Sequence, residues 1–377
     1  MAAEVEIGQN RRARRAVGLD AVSVVAGRRT RDAADVDVSW QMDAYRFDLP
    51  VVAAPSDAVV SPTTAAALSD LGALAVLDGS GLWVRHADPE PLLAELAGLD
   101  PATADPVAVL ARLRELHAAP VRDDLLAARV KELRDGGRLA AVSLPPRLVR
   151  QHVDAVVGAG ADLLVVRGGV VSAEHVAPEG ADEPLDLKRF VAELDLPVVV
   201  GGCSTYRTAL HLARTGAAGV LVGVGQGTSS TSSEVVGVRV PMATALADAA
   251  AARREHLDET GGRYCHVIAD GGMATTGDVV RALALGADAV MLGAPLARGA
   301  EAPGGGWHWT AEAVHPTSPR GRRTWVGRAG SFAEVLHGPA RDADGLTGLE
   351  PALRRALASC GYSDLKAFQK AELVVEG

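Results

Sequence analysis

Four short stretches carry most of the residues able to bind or transform a small molecule: VVVGGCST, VLVGVGQGTSSTSS, HVIADGGMATTGD and AVMLGAPLA. Glycines recur in them as Gly201-Gly202, as Gly223, Gly225 and Gly227, and as Gly271-Gly272, with Gly293 in the last. One such pair alone reads as a tight turn. Several in successive segments point to bare backbone N–H groups curled around an anion, and phosphate suits that pattern best. Beside them stand the adjacent hydroxyls of Ser230-Thr231-Ser232, the carboxylate of Asp270 and the thiol of Cys203. Hydroxyls in a row can donate hydrogen bonds to a developing oxyanion. As nucleophiles they need a base, and no histidine lies near them in sequence.

Each stretch closes a short apolar run. Eight such runs predict buried parallel strands at 51–54, 73–77, 139–144, 162–167, 198–201, 219–223, 266–270 and 289–293. They are rich in Val, Ile, Leu and Ala without strict alternation, as when both faces of a strand are covered. Segments of helical period lie between most of them, at 61–71, 146–157, 205–215 and 276–285. The phrases GAGADLL, RTGAAGVLVG and LALGADAVMLG each end a helix on Gly and turn straight into a strand. Eight βα units predict a (β/α)8 TIM barrel, with the active site at the C-terminal strand ends. An open doubly wound sheet would need its Gly-rich loop after the first strand, and AAPSDAVVSP has none.

Residues 1–377 read as this single domain. Segment 88–138 predicts two or three polar helices, 302–344 an irregular region, and 350–360 an amphipathic C-terminal helix. No stretch is apolar enough to span a membrane, and the N-terminus lacks the apolar core of a signal peptide. A net charge of −9 argues against nucleic acid as the main partner, and Arg11–Arg15 reads as a solvated arm. Three cysteines, Cys203, Cys265 and Cys360, show no disulfide or zinc spacing, which suits the cytoplasm.

The segments IADGGM and TTGDVVRALALGADAVMLGAPLA resemble the phosphate-binding half of IMP dehydrogenase and GMP reductase. GVGQGTSSTSSEVVGVRVPMATAL resembles their catalytic loop, LPVVAAPSDAVVSP their first-strand motif, and GLEPALRRALASCGY their C-terminal helix. GRYCHVIADGGM, EAPGGGWHW and GYSDLKAFQ resemble a short actinobacterial branch that lacks the regulatory CBS module, and 88–138 is too short to hold one. The resemblance implies that Gly271, Gly272, Gly293 and Ala294 hold a nucleotide 5′-phosphate, with Gly227 and a Thr228 hydroxyl beside it. It implies that Asp270 takes the ribose hydroxyls, although Asp270 also reads as a helix N-cap. Asp57 would lie near substrate or cofactor. NADH or NADPH, a monovalent cation and a homotetramer are further implications.

The pattern breaks at the family's nucleophile. The position of its cysteine falls on Ser230, that of a following Thr on Ser232, and that of an Arg on Ser233. Ser56 stands where a Met packs on the purine, and an Arg-Tyr flap has no counterpart in 302–330; Arg320-Gly321 marks the loop expected to reach the base. Covalent thioimidate chemistry is therefore not expected. One expectation is an oxidoreductase that transfers hydride with Ser230, Thr231 and Ser232 as hydrogen-bond donors. Another is a silent nucleotide-binding homologue, and a third is a flavin mononucleotide-dependent barrel.

Overall fold

In a computed structural model, which describes residues 4–100, 103–176, 184–315 and 317–376, the eight expected strands close into one parallel barrel. They are β1 (Val51–Ala53), β2 (Leu74–Asp78), β3 (Ala141–Leu144), β4 (Leu163–Arg167), β5 (Val198–Cys203), β6 (Gly219–Val222), β7 (His266–Asp270) and β8 (Ala289–Leu292). Closure comes where β8 pairs with β1, Val290 opposite Val51. Alternate strand residues split between two cores. Val52, Val76, Val165, Leu221 and Met291 fill the barrel, while Val51, Leu77, Val166 and Val222 pack outward in the core shared with the helices. This is why the strands read as continuous apolar runs.

Barrel-flanking helices include α1 (Pro62–Asp70), and the 88–138 segment folds as α2 (Glu90–Ala97), α3 (Pro106–Ala118) and α4 (Asp123–Arg134). They are followed by α5 (Pro146–Gly158), α6 (Leu187–Ala192), α7 (Tyr206–Ala213), α8 (Ser232–Val236), α9 (Met242–Thr260), α10 (Thr276–Ala284) and α11 (Ala294–Ala297). Ser61, Thr205 and Thr275 open α1, α7 and α10 with reciprocal capping boxes. Gly160, Gly216 and Gly286 follow α5, α7 and α10 with φ of 91°, 95° and 109°, the left-handed exits expected at those three phrases.

Two expectations are corrected. Arg11–Arg14 is not a free arm; it pairs with Glu4–Gly8 in an exposed hairpin, and Arg14 clamps Asp248 of α9 at 3.1 and 2.7 Å. The 302–344 segment is less irregular than its composition, because Trp307–His308 pairs with Thr324–Trp325 and α12 (Phe332–Leu336) follows. The C-terminal helix appears as α13 (Leu349–Ser359), with α14 (Leu365–Phe368) after it. No helix among the described residues is long and apolar enough to cross a membrane.

The N-terminal end of the barrel is plugged and tied. A hairpin, Trp40–Met42 with Tyr45–Phe47, inserts Trp40, Met42 and Phe47 into the inner core, and Trp40 Nε1 donates to His266 at 3.3 Å. Asp288, just before β8, accepts from Arg253 at 2.7 Å, Tyr264 at 2.8 Å and the Val267 N–H at 2.8 Å, and pairs with Lys366 of α14 at 2.5 Å. Burial opposes charge on this carboxyl, but Arg253, Lys366 and His266 outweigh it and hold its pKa down at about 2. Removing the anion leaves buried Arg253 unpaired. Asp288→Ala should therefore lose about 3–5 kcal/mol of stability in urea unfolding; a loss below about 1 kcal/mol would match an exposed pair instead.

Candidate active site

The C-terminal ends of β4 and β6–β8, with the 308–314 segment, enclose one cleft. Gly271, Gly272, Gly293 and Ala294 line it from the ends of β7 and β8, with Asp270 beside them. Gly227, Thr228, Ser230 and Ser232 line it from the loop after β6. Two glycines permit this convergence. A Cβ at Gly271, whose φ is +88°, would fall 2.8 Å from the Gly227 nitrogen, so the β6 and β7 loops touch backbone to backbone. A Cβ at Gly293 would strike the His308 ring at 2.7 Å.

Charge in the cleft is concentrated on three side chains. Arg167, the last residue of β4, donates from Nε to Asp270 Oδ2 at 2.8 Å and from Nη1 to Glu312. Burial opposes the guanidinium charge, yet the two carboxylates overcome it and hold Arg167 firmly protonated. One cation cannot serve both anions equally. Burial raises the pKa of Glu312, Arg167 lowers it and the charge of Asp270 adds to the rise, so the net direction is up. With this bridge in place the cleft has about 70 Å³ of free interior. His308 lies on the same wall, its Nδ1 buried without a hydrogen-bond partner. Burial, then the charge of Arg167, push its imidazole down to about 4, so the ring is neutral and weakly basic near pH 7.

The hydroxyl loop is held from behind. Ser229 donates to the His308 carbonyl at 3.0 Å, and the Ser230 N–H donates to the Gly227 carbonyl at 2.9 Å. Ser230 Oγ donates to Ser232 Oγ at 3.3 Å and accepts from the Ser232 N–H at 3.4 Å. Neither partner is a base. Cys203 is buried with its thiol donating to the Leu221 carbonyl at 3.4 Å. Burial, with a smaller contribution from Cys265, pushes its pKa up to about 12, far from a reactive thiolate.

Residues 16–317 match the IMP dehydrogenase / GMP reductase domain. The chain belongs to that family. An uncharacterized oxidoreductase of Mycobacterium leprae (strain TN) is 53% identical over 374 residues, 98% of this chain and 99% of the relative. The inosine-5′-monophosphate dehydrogenase of Haemophilus influenzae is 40% identical over 154 residues, 41% of this chain and 29% of the enzyme. A crystal structure of an IMP dehydrogenase/GMP reductase-like protein from Corynebacterium glutamicum superposes with a TM-score of 0.91 at 49% identity, covering 99% of this chain and 97% of that one. By this kinship the chain is an IMP dehydrogenase-related oxidoreductase.

Three of the expected residues do not line the cleft. Asp57 does not line the cleft; it is buried behind it, accepting the Leu82 N–H at 3.0 Å. Burial opposes its ionisation, but His117 and Arg320 nearby and the Leu82 N–H hold its pKa below the ordinary value. Thr231 faces a different cavity, because the turn between Ser230 and Ser232 points its side chain outward. Arg320 is buried against β2, paired with Asp78 at 3.3 Å and donating to His117 at 2.9 Å, so it braces the loop and does not enter the cleft. Asp270 is not a helix cap either, since Thr275 caps α10.

Arg167, Glu312 and His308 were not singled out in the sequence. Only Arg167, a charge ending an otherwise apolar strand, carried a local signal. Next to the cleft is a cavity of about 290 Å³ that shares Arg167, Gly168, Gly169 and Glu312 as a common wall. Ser143 and Arg147 face it from β3 and α5, adding a hydroxyl and a cation to its lining. Among the described residues no cluster of His, Cys, Asp or Glu is placed to hold a metal ion.

The buried imidazole has a testable consequence. His308 titrates near 4 in the fold and at about 6.5 in the unfolded chain. Between those values the unfolded chain binds more protons, so stability rises with pH and is lost as pH falls from about 6.5 to about 4. That loss is on the order of 3 kcal/mol for one such group. His308→Asn should flatten the pH dependence of the urea midpoint in this window, and curves parallel to wild type would show that the ring is hydrated.

Proposed function

We propose that the protein binds a purine ribonucleoside 5′-monophosphate, GMP or IMP, and carries out nicotinamide-dependent hydride transfer without an enzyme thiol. The observation that carries this reading is the cleft itself: Gly271, Gly272, Gly293 and Ala294 turn backbone toward one space that contains Ser230 and Ser232 and no cysteine. The phosphate would sit on those backbone N–H groups with the Thr228 hydroxyl beside them. In IMP dehydrogenase-like chemistry the position of Ser230 would carry the thiolate, and a serine without a base cannot replace it.

The C6 carbonyl carbon of GMP is then the remaining electrophile for reduction. A bound reduced nicotinamide supplies a hydride, and the carbonyl π pair becomes an alkoxide on O6. Ser230 and Ser232 donate hydrogen bonds to that oxygen as its charge develops. Glu312, whose pKa burial raises, would deliver the proton to O6, and Arg167 would meet the carboxylate left behind. The product is a 6-hydroxy-1,6-dihydropurine nucleotide, and loss of water across N1 and C6 leads to a 2-aminopurine. Admission of a nucleotide requires the 308–314 segment to shift and Glu312 to reorient within the cleft, since 70 Å³ is far below the volume of a small-molecule site.

That same bridge favours a second reading. A guanidinium fixed across the cleft suits a nucleotide-binding homologue that performs no chemistry. Turnover separates the two: GMP with NADPH, and IMP with NAD, should change the nicotinamide absorbance only for an enzyme. If C6 reduction operates, Ser230→Ala should slow it about 100-fold. Ser230→Cys should not restore IMP oxidation, because a thiolate needs neighbours that lower its pKa, and robust XMP formation by this variant would overturn the reading of a rebuilt site.

Binding is tested separately by calorimetry. GMP or IMP should bind far more tightly than guanosine or inosine. Gly272→Val should abolish the difference, since φ of +74° at this position is unsuited to a branched side chain. Equal affinity of nucleoside and nucleotide for the wild type would remove the phosphate site.

A further inference from the structure

A further cavity, of about 460 Å³, lies on the outer side of the 227–232 loop, between α3 and the 317–323 segment. Its volume is within the range of small-ligand sites. Val109, Leu110 and Leu113 face it from one side of α3, and Val235 of α8 and the Trp307 ring complete an apolar box. Three arginines line it: Arg320 is paired with Asp78, Arg322 donates to the Thr228 carbonyl, and Arg323 faces no carboxylate. Its guanidinium stacks 3.4 Å from the Trp307 ring centroid, and one Nη donates to the Leu96 carbonyl. Its Nε is buried with no hydrogen-bond partner. Burial alone lowers its pKa, to about 10, with no carboxylate contributing. Half-buried cations ordinarily meet an anion. Here the cavity offers an apolar slot and a cation whose hydrogen-bonding capacity is incompletely used.

The cavity is also wired to the cleft. Thr231 lines it, while Ser230 and Ser232 on either side line the nucleotide cleft, so one strip of backbone is the wall of both. Arg322, adjoining Arg323, donates from its backbone N–H to the Ser229 carbonyl at 3.0 Å and from Nη2 to the Thr228 carbonyl at 3.3 Å. A ligand resting on Arg323 and Thr231 would restrict the segment that presents Ser230.

We propose that this cavity is a second ligand site, which takes a small planar apolar acid with its anionic group on Arg323, and that its occupancy stiffens the 227–232 loop. The site rests on no assumption about the reaction, so its test uses no nucleotide in its first arm. The probe is 1-anilinonaphthalene-8-sulfonate, a planar aromatic sulfonate whose fluorescence rises in apolar surroundings. The full-length protein should bind it saturably, one per chain. Arg323→Met, which keeps the stem but not the charge, should weaken binding about 10-fold or more, the scale of a charge-assisted hydrogen bond. Leu113→Trp should fill the box and abolish binding, with Val109→Phe as the second filling variant if the first alters the circular dichroism or melting temperature. Hydrogen exchange of amides 228–236 should slow on probe binding in wild type and not in the filled variant. An equal fluorescence response from all variants, stoichiometric displacement of the probe by GMP, or exchange in 228–236 that ignores the probe would each overturn the proposal.

Discussion

At the rim of the barrel one guanidinium answers two carboxylates. Arg167 can be buried there only because Asp270 and Glu312 surround it, and each of the three comes from a different part of the chain: β4, β7 and the segment after Trp307. The pairing therefore does more than neutralise charge. It draws the 308–314 segment over the cleft, sets the rotamer of Asp270, and leaves one carboxyl, that of Glu312, tilted toward its neutral form. A ligand entering the cleft meets this group first, because Arg167, Asp270 and Glu312 all line it.

The close approach of neighbouring groups to two glycines is the second constraint. Gly271 against Gly227, and Gly293 against His308, are contacts in which any Cβ would collide. They bring three successive strand ends within reach of one small ligand. They also explain why the cleft is lined by peptide groups and short hydroxyls, a surface suited to hydrogen bonding an anion and unsuited to nucleophilic attack. The thiol of Cys203, buried against the Leu221 carbonyl, belongs to the core.

The two ends of the barrel divide stability from chemistry. At the foot, Asp288 joins Arg253, Tyr264 and Lys366 in a network that is fully satisfied and far from any cavity described above. At the rim, Nδ1 of His308 and Nε of Arg323 remain without partners. The carboxylate of Asp288 and its partners thus hold the fold at the foot, while unpartnered polar atoms at the rim leave hydrogen-bonding capacity there.

The barrel was legible because its signals are local. Continuous apolar runs, helix-ending glycines at 160, 216 and 286, and capping pairs such as Thr275 with Asp278 act within a few residues of themselves. The phosphate-like glycines and Asp270 were legible for the same reason, since a strand end specifies where its next residues face. Thr231 and Asp57 were misplaced because a single turn residue, and one buried hydrogen bond to Leu82, decide which side of a loop a side chain takes. Arg167, His308 and Glu312 share no sequence neighbourhood, and only closure of the sheet brings β4 opposite β7 with the 308–314 segment above them. Sequence alone thus determined the barrel and the glycine-rich rim, through short-range propensity and burial. Tertiary structure decided which charges face the cleft, because electrostatic pairing acts through space between residues that lie 103 and 145 positions apart along the chain.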